Sequence, residues 1–383
     1  MSKTKIHTAE EYAQQVMSGE VLVCEYVRLA GERYYRDLDV ALDRGWHFDR
    51  KAASRAINFI QKLKHTKGVW AGQRFKLEPW QQFIIWNIFG WMNADGTRRF
   101  RYAYIEISRK NGKTMLSAST GLLMLFADGE SRPEVYSAAT VKDQAKLCFS
   151  DAVAIVKATD LKNYLTPYRN SITYELKGGT MKPLSSDYGT HDGLSPSCAI
   201  IDEFHAHKDS GMFDVLKPAF GARRQPMMFI ITTAGFNKAG VCYAYRDNVI
   251  KVLRGVNIDD SLFGIIYTQD SKEEWEDPKM WIKSNPNLGV SVSAEYLADQ
   301  VKDAKNRPEA VRNVLTKNFN LWVDAERTWI LDEKWMQCVG TTPLESLRGC
   351  ECWGGLDLSN VSDITAFVLL FHENDKFQIV PLF

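Results

Sequence analysis

Residues 108–114 read SRKNGKT. A lysine between a glycine and a threonine, at the opening of a helix, suits the holding of a polyphosphate. Backbone N–H groups and the helix N-terminus face the anion, Lys113 reaches the β- and γ-phosphates, and the Thr114 hydroxyl binds Mg²⁺. The common loop pattern G-x-x-x-x-G-K-[ST] has a glycine where this chain has Ile107. Taken alone, the stretch reads equally well as a basic surface turn.

A second stretch supplies the partner such a loop requires. CAIIDE at 198–203 is a short apolar run ending in two acids. Asp202 is placed to hold Mg²⁺, and Glu203 to orient and deprotonate an attacking water. A strand ending in solvated acids is the plainer reading, but the two motifs together favour a nucleotide site. ITTAG at 231–235 ends another apolar run, where Thr232 or Thr233 is placed to sense a γ-phosphate. By itself it is only a strand end with a glycine turn. Upstream, PWQQ at 79–82 offers Gln81, whose amide pairs a donor with an acceptor as an adenine edge does. Buried helix packing is its alternative. His205 and His207 follow the acids in DEFHAH. With no third soft ligand in sequence, and Asp202 already assigned to Mg²⁺, they are not read as a zinc site.

These residues need elements to position them. FRYAYIEIS before the loop has strand character, and GKTMLSASTGLLMLFA after it reads as a helix. PEVYSAA, SCAIIDEF and QPMMFIITTAG read as further strands, with an amphipathic helix at VKDQAKLCFSDAVAIVKA and a hairpin at SITYELKGGTMKPLSS turning at Gly178-Gly179. Strands alternating with helices predict a doubly wound α/β sheet, mostly parallel. Residues before about 95 read as helical, beginning with a capping box at Thr8 and Glu11. Residues 240–325 read as helical again, 340–349 as a linker, and the segment from Cys352 to Phe383 as the opening strands of another domain.

Composition bounds the function classes. A chain of 383 residues predicts two or three domains. A net charge of +1 gives no global basic field, though a local basic patch would still steer phosphate. Seven scattered cysteines without C-x-x-C predict reduced thiols rather than a disulfide framework or a zinc ribbon. The N-terminus is polar, and the longest apolar runs, such as GLLMLFA, fall far short of the ~20 residues of a membrane span. A soluble, cytoplasmic protein with no membrane partner is expected.

The order FKLEPWQQF, SRKNGKT, CAIIDEFHAH, ITTAG resembles the large terminase subunit of tailed double-stranded DNA bacteriophages. The resemblance implies a P-loop NTPase of the ASCE type, with ATP and Mg²⁺ as cofactors. In that family a loop opening Ser-Arg is usual. Ser108, Arg109, Asn111, Gly112, Lys113 and Thr114 would then hold the nucleotide, with Arg109 and Lys113 on its phosphates. Thr114 and Asp202 would bind the metal, Glu203 would be the catalytic glutamate, Thr232 and Thr233 would couple hydrolysis to movement, and Gln81 would read adenine. Arg223 and Arg224 in FGARRQP are charge-based candidates for an arginine finger acting on a neighbouring subunit.

The resemblance also implies an RNase H-like nuclease domain using Mg²⁺ or Mn²⁺. LDLSNVSDITAFVLL matches its first strands, with Asp357 as metal carboxylate and Asp363 as a weaker candidate. Two-metal cleavage needs carboxylates from several strands. The sequence stops soon after Asp357, so this domain is expected to be incomplete. The expected organisation is a helical region at 1–59, an ATPase core at 60–245, a helical sub-domain and linker at 246–349, and the start of the nuclease domain at 350–383. The implied partners are double-stranded DNA, the portal protein, the small terminase subunit and copies of this chain in a ring on the prohead, in the host cytoplasm. Rival readings are a helicase-like remodelling ATPase, a non-catalytic assembly subunit and a working nuclease.

Overall fold

The computed structural model describes residues 7–138, 142–184, 193–207, 209–323, 337–338, 340, 343–358, 365–373 and 376–382. It divides into two compact units, Met1–Ala325 and Glu326–Phe383.

The first unit opens with helices α1 (Thr8–Ser18) and α2 (Glu25–Val40), a short strand β1 (Trp46–Phe48), helices α3 (Arg50–Lys62) and α4 (Pro79–Gly90), and strand β2 (Trp91–Asn93), which pairs antiparallel with β1. His7, not Thr8, caps α1: its Nδ1 accepts from Ala9 N–H at 3.1 Å. Asp49 caps α3 by accepting from Lys51 and Ala52 N–H. α4 starts on Pro79, whose missing N–H costs nothing at a first helical position. It is apolar on all sides and buried along its length from Trp80 onwards, as a helix wrapped by other elements must be.

The main sheet follows. Its strands are β3 (Tyr102–Glu106), β4 (Glu134–Ala138), β5 (Thr166–Pro167), β6 (Ile172–Tyr174), β7 (Gly179–Leu184), β8 (Cys198–Asp202), β9 (Met227–Thr232) and β10 (Leu262–Ile266). Helices α5 (Lys113–Phe126), α6 (Lys142–Ala158), α7 (Gly211–Ala219) and α8 (Val241–Leu253) lie between them in sequence. The order across the sheet is β10-β3-β9-β8-β4-β7-β6-β5, parallel from β10 to β7 and antiparallel beyond. β9 is inserted between the loop-bearing strand β3 and the acid-bearing strand β8, the ASCE arrangement expected from the sequence. β8 and β9 are buried throughout, so each reads as a continuous apolar run rather than an alternating one.

Two findings depart from the sequence reading. β7 pairs antiparallel with β6 as a hairpin, but also joins β4 in parallel and so extends the main sheet. Leu262–Ile266, in a stretch read as helical, is the edge strand β10 beside β3. α8 packs closely on it: a Cβ on Gly264 would stand 2.4 Å from Val249 Cγ1.

Beyond β10 the chain makes short 3₁₀ turns and then helices α9 (Ala294–Asn306) and α10 (Pro308–Phe319), which pack against each other. They close a second apolar cluster that includes Trp275, Trp281, Leu297, Val301, Leu315 and Phe319. In the other unit, β11 (Cys352–Asp357), β12 (Ala366–Glu373) and β13 (Lys376–Leu382) form an antiparallel three-stranded sheet. Cys24, Cys148, Cys198 and Cys242 are buried, Cys338, Cys350 and Cys352 are exposed, and none is in a disulfide. No described helix is long and apolar enough to cross a membrane.

Candidate nucleotide-binding site

Three parallel strands end side by side. Glu106 of β3 is in register with Thr232 of β9, and Asp202 of β8 with Ile231. The loop 107–112 leaves β3 at this edge, where ligands of open α/β sheets bind. Ile107 still belongs to the sheet, since its N–H donates to Thr232 O at 3.0 Å. The position is a buried strand end, which is why an isoleucine suits it. Gly112 has φ 80°, the left-handed region that favours glycine, and α5 starts directly after it.

Lys113 is buried, and its ammonium donates to Ile107 O and Ser108 O, both at 3.1 Å. Burial brings it down to about 8, against the raising effect of Glu203 and Asp202. The half-buried Thr114 is the next residue of α5. Ser108 Oγ is buried with no hydrogen-bond partner among the described residues. Asn111 pins the loop to a neighbouring turn: its Nδ2 donates to Asn285 Oδ1 at 3.0 Å, and its Oδ1 accepts from Asn287 N–H at 3.1 Å. Ser291 Oγ donates to Lys110 O at 2.6 Å, and Arg109 N–H to Lys317 O at 2.9 Å. The loop is thus clasped by the segment 285–291 and by α10. The Arg109 residue is exposed.

Gln81 lies beside this loop. Its Oε1 accepts from Glu78 N–H at 3.0 Å, closing a capping box on α4. Its Nε2 lies 3.4 Å from where a Cβ on Gly112 would sit.

The acids face the loop from β8. Asp202 is buried, and burial followed by the charge of Glu203 lifts it to about 6. One of its oxygens accepts from Glu203 N–H at 2.9 Å. Glu203 sits in the left-handed region, φ 51°, uncommon for a residue with a side chain. Such backbone conformations concentrate at functional sites. Its Oε2 is 3.2 Å from His205 Nδ1 but poorly aligned, so that oxygen has no hydrogen-bond partner among the described residues.

His205 joins three elements. Its Nε2 is 3.0 Å from Lys317 Nζ of α10. Its Nδ1 is 3.1 Å from Thr232 Oγ1 and 3.4 Å from Thr233 Oγ1. An ammonium only donates, so Nε2 accepts and the proton sits on Nδ1, directed at Thr232. The Thr232 hydroxyl in turn donates to Thr233 O at 3.0 Å. Burial first, then the positive charges of Lys317, Lys113 and Arg109, bring His205 down to about 3, so the ring is neutral.

Behind this layer lies a buried carboxylate. Glu106 receives Arg246 Nε at 3.1 Å and Trp322 Nε1 at 3.2 Å on one oxygen, and the Tyr104 hydroxyl at 2.5 Å on the other. Asn320 ties the same region together. Its Nδ2 donates to Tyr267 O at 2.7 Å, and its Oδ1 accepts from Ala234 N–H at 2.6 Å.

The structure therefore gathers Gln81, Ser108, Arg109, Asn111, Gly112, Lys113, Thr114, Asp202, Glu203, Thr232 and Thr233 around one strand edge. Arg223 and Arg224 are elsewhere, at the end where the strands begin. Arg223 donates to the carbonyls of Ser195, Ser131 and Arg132, and Arg224 to that of Asp95 at 2.7 Å. Arg223 is a brace between loops, which leaves its guanidinium little freedom to act as a finger. Asp357 ends β11 in the other unit, and Asp363 lies outside the described residues. Among the described residues, no group of three or more His, Cys, Asp or Glu side chains could hold a metal ion.

Sequence reasoning did not find Lys317, Glu106 or Asn320, and considered His205 only as a metal ligand. The turn SNPN at 284–287 was an available signal, since Asn side chains commonly bond to nearby backbone.

Residues 79–251 match the family model for the terminase large subunit, ATPase domain, and residues 257–381 that for the terminase large subunit, endonuclease domain. The second match begins well before Cys350, where the sequence reading opens that domain. Protein YmfN of Escherichia coli (strain K12) is 40% identical over 181 residues, covering 47% of this chain and 40% of the relative. The terminase large subunit of Enterobacteria phage HK97 is 27% identical over 337 residues, covering 86% of this chain and 64% of the relative. The chain thus spans less than two thirds of either relative. The crystal structure of the HK97 bacteriophage large terminase superposes with a TM-score of 0.62 at 26% identity, over 86% of this chain and 67% of that one.

Proposed function

This chain belongs to the terminase large subunit family, and we propose that it is an ATP-hydrolysing motor that moves double-stranded viral DNA into a prohead. The observation that carries this reading is the buried Lys113, held under the loop that follows β3 and facing Asp202 and Glu203 at the end of β8.

Lys113 exchanges two loop carbonyls for phosphate oxygens when a nucleotide enters. Ser108, Asn111 and Gly112 shape the cradle, Arg109 lies at its open side, and Gln81 stands beside it for the base. The Thr114 hydroxyl and the Asp202 carboxylate are hard oxygen donors that suit Mg²⁺. Burial works against the ionised form of Asp202, a cost that a bound divalent cation offsets. The cation, when bound, neutralises charge on the phosphates. Glu203 accepts the proton of the attacking water, and its oxygen without a partner is ready to do so. Thr232 and Thr233 follow the γ-phosphate through His205. Double-stranded DNA is gripped through its phosphates, which lets the motor accept any sequence. Copies of the chain act as a ring on the portal, recruited with the small terminase subunit in the host cytoplasm. Arg223 and Arg224 keep the finger role only if their loops rearrange at a subunit interface. The second unit carries the metal-dependent endonuclease, using Mg²⁺ or Mn²⁺, with Asp357 as one carboxylate and Asp363 as a weaker candidate.

Glu203→Gln tests the assignment. Nucleotide binding is expected to persist while ATP turnover falls by about 10²-fold or more, the usual worth of a general base. Unchanged turnover would point to a non-catalytic assembly subunit. Duplex unwinding without stimulation by proheads would point to the helicase-like alternative.

A further inference from the structure

Lys317 carries an ammonium that meets a neutral ring rather than a carboxylate. It comes from α10, in the helical pair that follows the last strand of the main sheet. Its ammonium meets the neutral His205 ring at 3.0 Å and lies 5.3 Å from the centre of the Phe236 ring. No carboxylate lies within ion-pair distance of it among the described residues. The like charges of Arg109 and Lys113 in the loop work against its charged form, and Glu203 favours it. Its own carbonyl accepts from Arg109 N–H at 2.9 Å, so its position is fixed relative to the phosphate cradle. A partly desolvated ammonium beside two like charges is unfavourable unless an anion completes the group.

We propose that Lys317 is a phosphate-binding residue acting within its own chain: it turns from His205 to the terminal phosphate of a bound nucleoside triphosphate. His205 is the partner from which it turns, and a positioning residue for Thr232 and Glu203. The proposal rests on the nucleotide reading of the loop and extends it by naming the group that distinguishes triphosphate from diphosphate. When Lys317 moves to the phosphate, His205 Nε2 loses its donor, and α10 is drawn against the loop. The presence of the γ-phosphate is thereby registered in the helical pair and at Thr232 together.

The test uses the full chain with Lys317→Gln and Lys317→Arg, and measures binding of ADP and of ATPγS with Mg²⁺ by calorimetry. Wild type is expected to bind ATPγS more tightly than ADP. Lys317→Gln is expected to keep ADP affinity within about twofold and to weaken ATPγS on the order of tenfold, the loss of one charge-assisted hydrogen bond. Lys317→Arg is expected to recover part of the difference. Equal weakening of both nucleotides, with a lowered melting temperature, would make Lys317 only a packing residue of α10 and overturn the proposal. So would an unchanged preference for ATPγS. If the wild-type chain binds neither nucleotide, the reading of the loop fails and this proposal with it. If wild type binds both and only the variant's preference is unaltered, this proposal alone fails.

Discussion

Replacing Arg246 with methionine probes the buried pair behind the loop. Glu106 is fully buried, and the Arg246 side chain retains 12% exposure. Unit charges 3.1 Å apart attract by about 5 kcal/mol at an effective dielectric of roughly 20. Desolvation of both groups offsets much of that in the intact pair. Removing the cation alone does not return the carboxylate to water. It stays buried, with neutral donors from Tyr104, Trp322 and Asn320. Breaking a buried pair in this way costs about 3–5 kcal/mol, and the remaining donors place Arg246→Met near the lower end, about 3 kcal/mol. Equilibrium urea unfolding of the nucleotide-free chain, followed by tryptophan fluorescence, should show the midpoint lowered by about 1 M for a slope near 3 kcal/mol/M. Glu106→Gln removes the stranded charge, so adding it to Arg246→Met should cost far less than the two single effects combined. A coupling of about 2 kcal/mol or more is expected from the double-mutant cycle. The reasoning is refuted if Arg246→Met costs below about 1 kcal/mol, or if the two changes simply add.

Two further predictions concern packing and pH. Gly264→Ala sets a Cβ 2.4 Å from Val249 Cγ1, and valine is stiff about χ1, so a loss of about 1–3 kcal/mol is expected. Chemical denaturation should show that loss partly reversed in Gly264→Ala/Val249→Ala, and no relief would disprove the clash. His205 titrates near 3 in the fold, against about 6.5 when unfolded. Between those values the unfolded chain binds the extra proton, so stability rises with pH there and is lost as pH falls below about 6.5. Going from pH 7 to 5 should cost wild type about 2 kcal/mol more than His205→Gln, and parallel stability curves for the two proteins would count against a buried neutral ring.

The parts of the site that were legible in the sequence are those whose signal is local. GKT after a strand, DE after CAII and TT after FII each end a short apolar run with the polar residues that the strand delivers to the sheet edge. Parallel strands bring those ends together, so reading the strands correctly also placed the site. Gln81 was legible for a similar reason, as the third residue of a helix that starts on Pro79. What was illegible depends on distant pairings. Lys317 meets His205 across 112 residues, and Trp322 meets Glu106 across 216. Nothing in LTKNFN or AYIEI announces either contact. β10 was misread because five buried residues between a helix and an acidic stretch have no period of their own, and strand or helix is then decided by the neighbour, here β3. In sequence Arg223 is only a charge-based candidate for an arginine finger. Only the loops at 131–132 and 195 show that its donors are already engaged.

The distribution of cysteines has a practical consequence. The four thiols of the first unit are inside, and burial pushes all four up, to about 11 for Cys24 and still higher for Cys148, Cys198 and Cys242. At neutral pH they are neither accessible nor nucleophilic. The exposed thiols, Cys338, Cys350 and Cys352, all belong to the second unit. A maleimide dye added to the unaltered chain would therefore mark that unit alone. Dye chemistry can thus be confined to the second unit without changing a residue.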